Sequence, residues 1–394
     1  MAKLTENSSQ EEQPLFEPDT ATAVEAENEA LDMWTIMGKN KTIDPTLRIP
    51  QTSPERQQAA AHDRALDTDA LLDKLAPKGK PAKDEAEKTV LYLAYGSNMC
   101  AKTFRKSRGI TPISQVNVCV PGLSLTFDLP GIPYFEPCFA GTKYRDPGAP
   151  SDPEKSANEI PATPQEEKTW SKPLVGIVYE VTLSDYAHIM ATEGGGSSYI
   201  DVVVDCHPFT QNYDPADPVP QFPTTAPFKA HTLLSPSAKQ DVDKHTHSPE
   251  TATATANGIP PSSKTKAHKT RDTRPDPTHA QPSLRYKNLL VTGAREHDLP
   301  TEYRAYLSSV GAFRVTTLRQ RGGQLVTMVL WMPALIAVMM LGRGLADERG
   351  KAPGWVAVAQ RWLFSGIWGL YDGVLKGVFG EGERTVGENG GVRL

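Results

Sequence analysis

From Leu325 to Leu341 the chain carries no charged residue, and a run of that kind has few places to go. It lies near the lower length limit for a membrane-spanning helix. Pro333 within it is better tolerated in lipid-embedded helices than in soluble ones. The competing reading is a buried core helix. The membrane reading is preferred because the chain before the run already contains enough elements for a complete domain and offers it no core. Arg319 and Arg321 precede the run and Arg343 follows it, so charge gives no orientation. We therefore expect a single transmembrane helix over 322–343. Beyond it, Trp355, Val358, Trp362, Leu363, Ile367, Leu370, Val374 and Val378 recur at helical spacing, so 344–394 reads as an amphipathic tail lying on a bilayer or packing on protein.

The rest of the chain is uneven. With 38% hydrophobic residues and 34 prolines in 394 positions, only part of it holds a core. Residues 1–88 are rich in Glu, Asp, Gln, Pro and Lys with few aromatics, and are expected to be disordered because they cannot bury enough apolar area to offset chain entropy. A net charge of -5 with no Lys/Arg stripe argues against a nucleic-acid-binding surface. Cys100, Cys119, Cys138 and Cys206 form no Cys-x-x-Cys pair and read as reduced thiols of an intracellular protein, with no disulfide frame or zinc site. His207, His231, His279 and His297 show no ligand spacing, so no metal and no cofactor are expected. The N-terminus lacks an apolar run, which predicts no secretory signal and a domain facing the cytoplasm.

Between 89 and 310 the pattern is that of an α+β domain. Val90–Tyr95 is a continuous apolar run ended by Gly96; Leu123–Phe127, Cys138–Tyr144, Leu174–Val181, Tyr199–Val204 and Phe228–Leu234 are further strand candidates. Met99–Lys106 and Ser184–Met190 read as short helices, the second N-capped by Ser184. Six short strands with few helices predict a small, mixed, barrel-like sheet with flanking helices. Three inserts, 146–171, 208–227 and 235–275, read as flexible surface loops.

Two features carry chemistry. Tyr95-Gly96-Ser97-Asn98 joins a strand to a helix; Gly96 permits a tight turn, and the helix N-terminus offers N–H groups to a carboxylate or oxyanion. A purely structural turn fits the same residues. Ser97 as a nucleophile is disfavoured because Gly-x-Ser-x-Gly is absent. Glu193, followed by three glycines, falls at the end of a helix, where the dipole and burial would raise its proton affinity toward that of a general acid/base. A solvated Glu at a helix C-cap is the bland alternative. Tyr134 and Glu136, in the Gly/Pro-rich stretch 131–137, are candidates for the pocket's border, whereas Asp201 and Asp205 read as a solvated strand face.

Taken together, Tyr95-Gly96-Ser97-Asn98, Glu193-Gly194 with Tyr199, and Pro282-Ser283-Leu284-Arg285-Tyr286 with Gly293-Ala294, Leu299-Pro300 and Tyr303 resemble, in that order, the γ-glutamylcyclotransferase family over Thr89 to Leu307. The resemblance implies a γ-glutamyl amino acid substrate, cyclised to 5-oxoproline without water, metal or cofactor. It also implies Glu193 as the acid/base, a binding loop at Tyr95, Gly96, Ser97 and Asn98, and positioning hydroxyls at Tyr199 and Tyr286. A non-catalytic adaptor that uses the same fold to bind a metabolite or protein is the alternative from another class.

Overall fold

The computed structural model describes residues 48–66, 88–145, 170–192, 200–210, 212–234, 274, 279–345 and 353–387. A short helix α1 (Pro54–Ala59) opens the described chain, capped by the Ser53 hydroxyl. Seven strands follow: β1 (Thr89–Ala94), β2 (Ser114–Val120), β3 (Leu123–Ile132), β4 (Glu136–Tyr144), β5 (Leu174–Thr182), β6 (Ile200–Pro208) and β7 (Phe228–Leu234). Helix α2 (Leu183–Thr192) sits between β5 and β6; α3 (Leu284–Glu296) and α4 (Thr301–Ser309) follow β7.

Strands β1, β5, β2, β6 and β7 close into a barrel in that order, mostly antiparallel, with β1 and β7 parallel. Closure leaves no edge to protect, which suits strands this short. Leu91, Leu93, Val118, Ile177, Val178 and Ala230 are fully buried in its core. Strands β3 and β4 form a separate two-stranded ribbon. The barrel-like α+β expectation therefore holds. Strand β2 escaped it, because its Gln115 and Asn117 alternate with apolar residues and so dilute the apolar run.

Three expectations are corrected. Part of the N-terminal region is ordered: Thr52 hydrogen-bonds the Ser114 hydroxyl at 2.9 Å, Arg56 pairs with Glu180 at 2.8 Å, and the fully buried Ala60 joins the core. A cluster of specific polar partners holds 48–66 where apolar area alone would not. The insert 208–227 is anchored over its described part, since Val219 is buried and its N–H donates to Glu302, while the Pro215 carbonyl accepts from Thr301. Asp201 is buried, accepting from the Tyr186 hydroxyl and facing His231 at 3.0 Å, because α2 covers that strand face.

The C-terminal part forms helix α5 (Leu318–Gly344), helix α6 (Gly354–Leu370), a π-helical turn Tyr371–Leu375 and α7 (Lys376–Phe379). The Thr317 hydroxyl and the Gln320 side chain form a reciprocal cap on α5. The segment Leu318–Gly342 is long and apolar enough to cross a membrane, with mean hydropathy 2.2 and only 11% of its most apolar window buried. The tail does not leave the domain, however. Tyr134, in the β3–β4 turn with φ 64, is fully buried against it: its N–H donates to Gly382, and its hydroxyl donates to Gly380 at 2.8 Å. Arg274 forks onto Asp372 and Glu383, and Gln281 donates to the Glu383 carbonyl. A one-way crossing that leaves all of 344–394 on the far side is incompatible with these contacts.

Candidate active site

Strand β1 delivers Tyr95 to the barrel rim, where its hydroxyl donates to the Leu233 carbonyl of β7 at 3.0 Å. The chain then turns tightly: Met99 N–H bonds the Gly96 carbonyl at 3.0 Å and Cys100 N–H the Ser97 carbonyl at 3.1 Å. Gly96 has ordinary negative φ, so backbone freedom does not explain it. A close approach does: a Cβ there would lie 3.2 Å from the Tyr286 hydroxyl. Asn98 is buried and donates to the Tyr92 hydroxyl at 2.8 Å, which fixes the turn from beneath; Gly96 and Ser97 stay partly exposed.

Helix α3 backs this turn along its length. At its start, the Ser283 hydroxyl caps the Tyr286 N–H and donates to Glu136. Arg285 pairs with both Glu136 oxygens at 2.9 and 2.7 Å. Tyr286, packed edge-on against Phe139, accepts from the Ala140 N–H at 3.2 Å. One face further along, Gly293 touches the turn so closely that a Cβ would sit 2.7 Å from Met99 C and Cys100 N. At the end of α3, the Glu296 carboxylate accepts from Ala101 N–H at 2.7 Å, and His297 Nε2 lies 3.1 Å from the Met99 carbonyl and 2.9 Å from the Tyr179 hydroxyl. Burial pushes the His297 pKa down to about 4, so the ring is neutral and its Nε2–H donates to Met99. Burial likewise raises the Glu296 pKa above the usual carboxylate value.

The structure thus brings Gly96, Ser97, Asn98 and Tyr286 together at one end of the barrel. Tyr95 anchors the turn from the barrel wall. Glu193 and Tyr199 lie outside the described residues. Their flanks are described: α2 ends at Thr192, and Ile200 pairs with Leu234, the neighbour of the Leu233 that holds Tyr95. Tyr134 and Glu136 do not border the turn directly; the first is packed on the tail and the second orients Arg285 and Ser283. His279 lies with Glu381 and Glu383, all three ligand atoms within 4.8 Å of one another. Arg274 and Lys376 already pair with those two carboxylates. Sequence reasoning did not find His297, Glu296 or the purpose of Gly293; the only signal was the clustering of all three at the end of one helix.

A closed barrel whose first strand runs into a Gly-Ser-Asn turn, backed by a helix that carries a facing tyrosine, defines a class of small α+β barrel proteins. No family model matches the chain. Among characterised proteins, it is 28% identical to the γ-glutamyl cyclotransferase aclK of Aspergillus oryzae over 78% of this chain and 93% of that one. The γ-glutamyl cyclotransferase gliK of Aspergillus fumigatus is 26% identical over 77% and 93%. The γ-glutamyl cyclotransferase verK of Clonostachys rogersoniana is 32% identical over 36% of this chain and 70% of its own. The chain belongs to the γ-glutamylcyclotransferase family.

Proposed function

We propose that the protein is a γ-glutamylcyclotransferase that converts a γ-glutamyl amino acid to 5-oxoproline and the free amino acid. The observation that carries the reading is the meeting of the Gly96 turn with the Tyr286 hydroxyl, in a chain whose relatives bear that enzyme name. The substrate's own α-amine attacks its γ-carbonyl, so a C–N bond forms as the ring closes and the original amide C–N bond breaks. Glu193 takes the proton that the attacking ammonium must lose and returns it to the departing amine. N–H groups of the Gly96–Asn98 turn stabilise the oxyanion, and Tyr286 and Tyr199 hold the γ-glutamyl chain in a curled, near-attack shape. No water and no metal enter this scheme. Ser97 contributes to binding and forms no covalent bond.

The protein is anchored to a membrane through Leu318–Gly342, with the barrel domain facing the cytoplasm, where its buried free cysteines stay reduced. The chemical reading is tested by incubating the protein with γ-glutamyl-alanine and following 5-oxoproline. Glu193→Gln keeps size and hydrogen bonding but removes the base, and is expected to lower turnover about 10²- to 10⁴-fold. Wild-type turnover by the Gln variant removes Glu193 from the mechanism.

A further inference from the structure

We infer that α5 and the arm running from α6 through α7 form a hairpin that crosses the bilayer twice, so that the C-terminal residues stay on the side of the barrel domain. The inference rests on the membrane anchoring proposed above and concerns its topology. Both feet of the hairpin are tied to the same place. At the foot of α5, Arg319 donates to the Val378 carbonyl and Gln320 to the Glu381 carbonyl, while Gly323 lets Tyr134 pack so closely that a Cβ would sit 2.7 Å from its ring. Gly382 presses on the same tyrosine, and Thr316 donates to the Val386 carbonyl at 2.6 Å. A helix that left the domain and never returned would make none of these bonds.

The two arms match in length. Helix α5 has 27 residues. The second arm is helical from Gly354 to Phe379, its two α-helices joined by the π-helical turn. Trp331 meets Gly366, where a Cβ would lie 2.9 Å from the indole, and each of these residues is the same number of positions from its arm's foot. On α5 the uncharged stretch runs from Gly322 to Gly342. At the helical rise it covers about 31 Å, close to the roughly 30 Å hydrocarbon thickness of a bilayer.

Lipid is the occupant that the exposed surface fits. Leu325, Val329, Leu330, Ile336, Met340 and Leu341 are all exposed among the described residues. At helical spacing they spread over about 160° of the α5 circumference, wider than the stripe of roughly 100° that one partner helix or a second copy covers. Charge falls at the two levels a double crossing requires. Arg319, Arg321, Asp372 and Lys376 lie at the feet, and Arg343, Asp347, Glu348, Arg349 and Lys351 fall, in sequence, where the first arm ends and before the second begins. Sinking that stretch into one leaflet would bury five charges; passing it through returns them to water. Arg361 is the exception, exposed on α6 within about two helical turns of the far end. From there its long side chain can reach the far headgroups. Trp355, half exposed at that end, suits the interfacial aromatic belt.

The test uses the full chain in sealed vesicles with the barrel domain outside. All four native cysteines are buried, so single cysteines report cleanly. Three variants are compared with an impermeant maleimide: Glu55→Cys on exposed α1, Arg349→Cys between the two arms in sequence, and Glu388→Cys near the C-terminus. All three should resist alkaline extraction as the parent does. The first and third should label at once, and Arg349→Cys only after detergent. Extraction into a soluble form overturns both anchoring and hairpin, and a soluble dimer then identifies a second copy as the cover of α5. Retention with Glu388→Cys protected leaves the anchor standing and overturns the hairpin in favour of one crossing. Labelling of Arg349→Cys without detergent also overturns it, because the link between the arms then lies on the near side.

Discussion

A methyl group at Gly293 would stand 2.7 Å from the backbone of Met99 and Cys100, and neither can yield as a side chain tip could. Gly293→Ala is therefore expected to push α3 away from the Gly96–Asn98 turn, lowering stability by about 1–3 kcal/mol as overpacking does. Because Tyr286 rides on the same helix, KM for γ-glutamyl-alanine should rise as well; thermal unfolding and steady-state kinetics read the two effects. Gly96→Val should abolish activity in a folded protein, since its side chain would occupy the space of the Tyr286 hydroxyl, whereas Ser97→Ala should retain it. His297 gives a pH signature. Its pKa falls from 6.5 when free to about 4 when buried, so the unfolded chain binds a proton that the folded one refuses. Its contribution is fully present above pH 6.5 and is lost progressively as pH falls to about 4, a loss of order 3 kcal/mol. His297→Gln should flatten that part of the stability-against-pH curve, which denaturant titrations at stepped pH measure. The Gly96–Asn98 turn stood out from the residues themselves and Tyr286 only through the family resemblance; the structure places Tyr286 against Gly96. The importance of Gly293 was visible only as a letter in a motif, because what makes it a glycine is a backbone met across nearly two hundred positions of chain.

At the level of elements, the apolar strands announced themselves and the polar-edged ones did not. Strand β2 alternates Gln115 and Asn117 with valines, and it becomes a barrel strand through its partners β5 and β6. The uncharged α5 was plain from composition, but the return of the tail was not, since Tyr134, Arg274 and Glu383 have no sequence relation to one another. That return changes what a deletion should do. Removing 322–394 takes away the partners of the buried Tyr134 hydroxyl and the covering of its ring, and should destabilise the domain by several kcal/mol, in the range of large core losses. Replacing only 330–366 with a short Gly/Ser linker keeps Tyr371, Glu381 and Gly382 in place. The second protein should be soluble without detergent and keep its melting temperature and activity. Equal stability of the two deletions would show that the tail's return is energetically idle.

At the scale of the molecule, a small barrel domain is joined to the C-terminal helices through the β3–β4 ribbon. One strand of that ribbon holds Tyr134 against the hairpin foot; the other presents Ala140 and Glu136 to the helix carrying Tyr286. In the reaction proposed above, ring closure uses the substrate's own amine in place of water. Turnover of γ-glutamyl-alanine in heavy-oxygen water, followed by mass spectrometry, tests it most directly. Unlabelled 5-oxoproline and one alanine for each ring formed are expected. Glutamate carrying the heavy oxygen, with no 5-oxoproline, would contradict it and identify a hydrolase on this fold.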